Sequence, residues 1–292
     1  MVVSEELMKE INWKNSKLHF LYRQFCIAPP PLPNTLSLVG QTAIITGSNN
    51  GLGIEASLQL LQHGLSHLIL AVRSISKGES AKERFLSAIG KGQTLPEVEY
   101  EALKAQDPSA KPPVLSIVGN ETAGWASFKA ADLAIKNKTS ILSMLNDKEH
   151  LDMGDAYQIS KLLALCFIRS FCTYLASEPK ICNDVIINNV NPGFCYGTEL
   201  HSDVPVVIRV IVKALARTTG RTPSVGARTF AHAGAVAGVE SHGRYLSDCA
   251  VEVFFPFLET EKGMLVQDQL WEELRNELGK VVDFEQALSQ GL

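Results

Sequence analysis

The sequence predicts an α/β chain of Rossmann type, a doubly wound parallel sheet short of about one βα unit between its second and fifth strands. Three observations predict it. Buried-strand runs alternate with helical patterns, a glycine-rich loop joins the first strand to the first helix, and one interval between strands is too brief for the usual topology.

Composition sets the class. The 292 residues are 46% hydrophobic and 20% charged, with a formal net charge of -4, which fits an ordered α/β domain with an appendage. The mild acidity argues against nucleic acid as a partner and favours small molecules. Six scattered cysteines, without a CxxC pair, read as free thiols of a reducing, cytoplasmic compartment. No signal peptide and no integral membrane segment is expected. The most apolar later run, "VPVVIRVIVKALA", is interrupted by Arg209 and Lys213 and is too short to span.

Residues 1–39 are expected to form an N-terminal helix with a proline-rich linker, and residues 40–292 a single domain. In the leader, Leu7, Ile11, Leu18, Leu21 and Phe25 fall near one helical face, and "APPPLP" stops the helix. Two readings stand open: a helix packed on the domain, or one lying on a membrane surface. Next come strand "TAIIT", helix "GLGIEASLQLLQHG", strand "HLILAV" and helix "GESAKERFLSAIG", both helices closing at glycine. Later, "PVLSIV" and "DVIINNV" read as strands and "AYQISKLLALCFIRSFCTYLA" as a long buried helix. Residues 200–221 read as an apolar lid.

The loop "TGSNNGLG" carries the first chemistry. Gly47 permits a tight turn, and Gly51 and Gly53 let backbone and helix approach a pyrophosphate, whose charge the helix N-terminus binds. Ser48, Asn50 and Leu52 complete this cofactor loop. Arg73 follows the second strand, where a guanidinium suits a 2'-phosphate, so the cofactor is expected to be NADP(H). In "DAYQISKLL", Tyr157 and Lys161 stand four residues apart on one helical face. A phenol of pKa ~10 is a poor acid-base at neutral pH, and a nearby ammonium lowers that value. The pair can pass a proton to or from a carbonyl or alcohol oxygen.

With "TGSNNGLG", "AVRSISKGESAKE", "YQISK", "NVNPGF", "RTPSVGARTFAHA" and "SHGRYLSDC", the chain resembles the short-chain dehydrogenase/reductase family. Within it, the chain resembles the branch similar to retinol dehydrogenases and to reductases of fungal secondary metabolism. The resemblance implies that Tyr157 is the catalytic acid-base and that Lys161 binds the nicotinamide ribose and tunes the tyrosine. It also implies that Phe194 and Thr198 line the nicotinamide amide. The family's substrate-polarising serine finds no match. Gly119 and Asn120 stand where paired serines are expected, and the Asn120 amide can donate a hydrogen bond in their place. Ser116 falls inside the strand, and Thr122 serves only if the register shifts.

The 40 residues from 73 to 112 must hold three helices and two strands in the usual topology. Mean element lengths require about 43 residues, and connections of about four residues each raise that to about 67. One helix fills the first part, and "VEYEAL" fits either a strand or a helix end. The family's adenine-side Asp, its Asn-Ala-Gly turn and its helical Asn find no match. The leading expectation is an NADP(H)-dependent enzyme interconverting a carbonyl and an alcohol on a fungal secondary metabolite. The alternative is a non-redox binding or scaffold protein of the same fold. A homo-oligomer is left open, because the helix that commonly carries the family's dimer contact has no match.

Overall fold

Two helices, not one, precede the first strand. In a computed structural model, which describes residues 4–72, 74–89, 112–177, 185–196, 214, 216–253 and 255–281, the leader divides into α1 (Glu5–Lys14) and α2 (Lys17–Cys26). Asn15 closes α1, and the Ser16 hydroxyl accepts the His19 N–H to start α2. The break turns the expected face around. Ile11 is 2% exposed, but Leu18 and Phe25 are 69% and 62% exposed, and the buried member of α2 is Arg23. The helix packs on the domain through its polar side.

The domain continues with β1 (Thr42–Thr46), α3 (Gly51–Gln62), β2 (His67–Ala71), α4 (Ile75–Ile89) and β3 (Val114–Val118). Then follow a 3-10 turn (Glu121–Trp125), α5 (Lys129–Asn137), α6 (Ile141–Asn146), α7 (Ala156–Ser177) and β4 (Ile186–Asn191). The last elements are α8 (Pro223–Ala235), β5 (Tyr245–Ser247), β6 (Ala250–Glu252) and α9 (Glu261–Leu278). The segment "VEYEAL" and most of residues 200–221 lie outside the described residues.

β3, β4 and β5 are parallel neighbours, with β6 antiparallel at the edge. Alternation along β4 sends Ile187 into the cluster under α7, with Ile168 and Cys172, and Val190 into the cluster under α8, with Ala233. The sheet is therefore covered on both faces, as a Rossmann-type fold requires. α9 backs α7, which has the length and hydropathy of a bilayer span but carries Leu162, Leu165 and Ile168 in the core.

Among the described residues, β1 pairs with β2 alone and no strand joins β1 to β3. The described strands form two pieces, the parallel β1–β2 pair and the sheet of β3 to β6, bridged by the packing of α3 on α8. Positions that a doubly wound sheet would bury stay open: Ile44 is 50% exposed and Leu115 is 48% exposed.

Candidate active site

The glycine loop forms as a phosphate-binding turn should. Gly47 and Gly51 adopt φ of +66° and +51°, conformations glycine tolerates at no steric cost. Gly53 sits so close to the Gly47 carbonyl that any side chain there would collide with it. Asn50 caps α3, its Oδ1 accepting the Gly51 N–H at 2.7 Å. Leu52 lies in the first turn of the helix, and Gly47 N–H ties the loop to Ala71 O at the end of β2. Ser48 is fully buried, and its Oγ has no hydrogen-bond partner. An orphaned hydroxyl beside a helix start and a cradle that a Cβ would fill is the donor set a pyrophosphate needs. Arg73 and Thr198, the other expected cofactor contacts, lie outside the described residues.

Tyr157 and Lys161 share one face of α7, with Lys161 Nζ 5.7 Å from the Tyr157 ring centroid. The lysine donates to Val118 O at 3.1 Å, so the pair stands at the carboxyl end of β3. One expectation is corrected here. Burial raises the Tyr157 phenol above its ordinary value, and no lowering by Lys161 offsets this; burial also lowers the Lys161 ammonium below its own value. The physical reason is that both groups lose water while the ammonium is turned to a backbone carbonyl.

Two residues past Val118, Asn120 caps the 3-10 turn, its Oδ1 accepting the Thr122 N–H at 2.9 Å. That bond engages Oδ1 of the amide, whose Nδ2 is the group able to donate. Gly119 explains the missing first serine. A Cβ at 119 would fall on the Asn189 side chain of the neighbouring strand, so β4 has filled the space a serine would take. Ser116 lies within β3, its Oγ buried and unpartnered, and Thr122 Oγ1 is likewise buried inside the turn.

Several residues at this end of the sheet escaped the sequence reading. Arg23 of α2 donates from Nη1 to Glu121 Oε2 at 3.0 Å and from Nε to Asp248 Oδ2 at 2.6 Å, and also to Ser247. Arg221 Nη1 meets Asp248 Oδ1 at 2.6 Å, and its Nη2 donates to Ile27 O at 3.0 Å. Burial raises the Glu121 carboxyl, more than the Arg23 charge lowers it. For Arg23, burial pulls the guanidinium down, and the two carboxylates outweigh it. Gln24 holds the backbone of Phe194, three residues beyond β4. Arg221 and Asp248 fall inside stretches the sequence had flagged, but Arg23 and Gln24 carried no signal beyond being polar on an amphipathic helix.

No family model matches the chain. Curated relatives do. It is 31% identical over 326 residues to the short chain dehydrogenase/reductase dmxR8 of Cryptosporiopsis sp. (strain 8999), covering 90% of this chain and 97% of that one. It is 28% identical over 335 residues to the short chain dehydrogenase virL of Hypocrea virens (strain Gv29-8 / FGSC 10586), covering 96% of each. Both matched spans exceed this chain's 292 residues, so each relative carries residues with no counterpart here. Among solved structures, a short chain dehydrogenase from Salmonella enterica subsp. enterica serovar Typhi covers 74% of this chain at 12% identity, with a TM-score of 0.48.

Proposed function

The chain belongs to the short-chain dehydrogenase/reductase family, and from that premise we propose that it is an NADP(H)-dependent oxidoreductase interconverting a carbonyl and an alcohol. The substrate class we infer is a fungal secondary metabolite, and the compartment the cytoplasm. The observation that carries the reading is the placement of Tyr157, Lys161 and Asn120 together at the carboxyl end of β3. That is where open α/β sheets bind their ligands.

The chemistry that the cofactor supplies when bound is hydride transfer at the nicotinamide C4. Tyr157, a phenol that burial raises further above neutrality, gives its proton to the carbonyl oxygen during reduction and takes it back during oxidation. Asn120 Nδ2 donates to the same oxygen and orients it. Lys161, held on Val118 O beside the Tyr157 ring, would bind the ribose hydroxyls. The loop from Gly47 to Gly53, with Ser48 Oγ, would hold the pyrophosphate, and Arg73 a 2'-phosphate.

The test is a fluorescence titration with NADPH and a turnover assay over a panel of ketones and aldehydes. Saturable binding with turnover abolished by Tyr157→Phe supports the proposal, and absence of both binding and turnover overturns it. A second reading has one specific observation behind it: Lys161 is held on Val118 O beside a phenol that burial raises. On that reading the chain binds a cofactor without redox turnover, and tight NADPH binding without hydride transfer to any substrate would select it.

A further inference from the structure

Gln24 makes a two-point contact with one residue of the site. Its Nε2 donates to Phe194 O at 2.9 Å, and the Phe194 N–H donates to its Oε1 at 3.2 Å. Nε2 also reaches Thr219 O at 3.3 Å. A primary carboxamide is the group that satisfies an N–H and a C=O side by side, and nicotinamide carries the same group. From this match we propose that α2 is a built-in competitor for the cofactor. Gln24 holds the Phe194 backbone pair that the nicotinamide carboxamide needs, and NADP(H) binds by displacing it. The inference rests on the oxidoreductase reading above and adds a regulation of that same site.

The position supports the competition. Phe194 follows the carboxyl end of β4, the neighbour of the strand that ends at Val118, two residues before Asn120. The glycine loop comes to the same place. At Gly226 of α8 a side chain would strike Cys195 Sγ, and its Cβ would stand 3.0 Å from Leu52 Cδ2 and 3.4 Å from Pro192 O. The phosphate loop and the 192–195 segment therefore share one wall. A dinucleotide with its pyrophosphate on the first extends its nicotinamide toward the second.

The seat of Gln24 is built. A Cβ on Gly193 would lie 2.8 Å from Gln24 Oε1 and 2.6 Å from Arg221 Nη1, so a bare backbone is what lets both side chains close on the loop. The adjacent Arg23 pins the same turn of α2 to Glu121 and Asp248 inside the protein. Arg221 Nη2 ties down the Arg23 carbonyl at 3.2 Å. α2 thus reaches the carboxyl ends of β3, β4 and β5 at once.

The experiment uses the full chain, with Gln24→Ala and the size-matched Gln24→Leu. Two probes are titrated by calorimetry: NADPH, and 2'-phospho-ADP-ribose, which lacks only the nicotinamide. Both variants should bind NADPH about tenfold more tightly than wild type, the weight of two neutral hydrogen bonds no longer to be displaced. Their affinity for 2'-phospho-ADP-ribose should match that of wild type. Saturating NADPH should also speed deuterium exchange of residues 17–26 in wild type. NADPH affinity unchanged or weakened in both variants, with the fragment binding equally to all three proteins, overturns the competition and leaves the cofactor reading standing. Failure of every protein to bind either probe overturns the cofactor reading, and the competition falls with it.

Discussion

Arg23 Nε donates to Asp248 Oδ2 at 2.6 Å, joining the second helix of the leader to the turn after β5 across 225 positions of sequence. Both side chains are buried, and Asp248 adopts a positive φ of 53° within the turn that Arg221 also grips. The leader is therefore part of the fold.

Removing one partner of this cluster leaves opposite charges buried without compensation. Arg23→Leu should cost about 3–5 kcal/mol and lower the melting temperature by about 10 °C. Thermal unfolding followed by circular dichroism checks this. A loss within experimental error of an exposed-site control such as Lys9→Ala would contradict the geometry.

Gly119 and Asn189 form a packed pair across β3 and β4. Restoring the expected serine by Gly119→Ser should therefore destabilise the chain by about 1–3 kcal/mol through overpacking. Combining it with Asn189→Ala should recover most of that loss, since the added side chain then has room. Urea unfolding of the two single variants and the double variant reads the coupling directly, and additive losses would refute the contact.

On the proposed mechanism the two reaction directions have opposite pH limbs, and burial, which raises the Tyr157 phenol, moves both upward. Reduction, which needs the proton on the phenol, should hold its rate through neutral pH and fall only above pH ~10. Oxidation, which needs the phenolate, should climb over the same range. Tyr157→Phe should lower turnover by about 10²–10⁴-fold while leaving NADPH affinity within a few-fold. A pH profile of reduction that falls near neutrality would show another group titrating in the step.

Glu273 of α9 caps α6 from outside. Its carboxylate accepts the Ile141 N–H at 2.8 Å, the Leu142 N–H at 2.9 Å and the Ser140 hydroxyl at 2.8 Å. Burial pushes this carboxyl up, and those bonds with one from Gln269 outweigh it, so it sits below its ordinary 4.5. A depressed carboxyl contributes stability that is full above its unfolded value and lost as pH falls through the folded one. Glu273→Gln should therefore cost about 1 kcal/mol at neutral pH. That gap should close as pH drops below 4.5, which unfolding midpoints over an acid series would measure.

The glycine loop, the strands beginning at Thr42 and Ile186, and the Tyr157–Lys161 pair were legible because each rests on local chemistry. A turn needs glycine, a buried strand needs a run of apolar residues, and two side chains four apart on a helix share a face. The contraction was legible too, because chain length limits how many strands fit between Val72 and Pro113. The leader's docking face was not legible, for the opposite reason. Periodicity grouped Leu18, Leu21 and Phe25 on one face, yet they face solvent, and the helix docks through Arg23 and Gln24. A polar residue on an amphipathic helix looks solvated until buried carboxylates and a backbone pair are brought to it from more than 90 positions away. The same holds for Gly119, whose need for no side chain comes from Asn189 on the next strand. Sequence by itself determined which chemical groups this protein carries and the strands and helices that display them. Tertiary structure alone decided which groups meet, because desolvation and hydrogen bonding act between neighbours in space, whatever their separation along the chain.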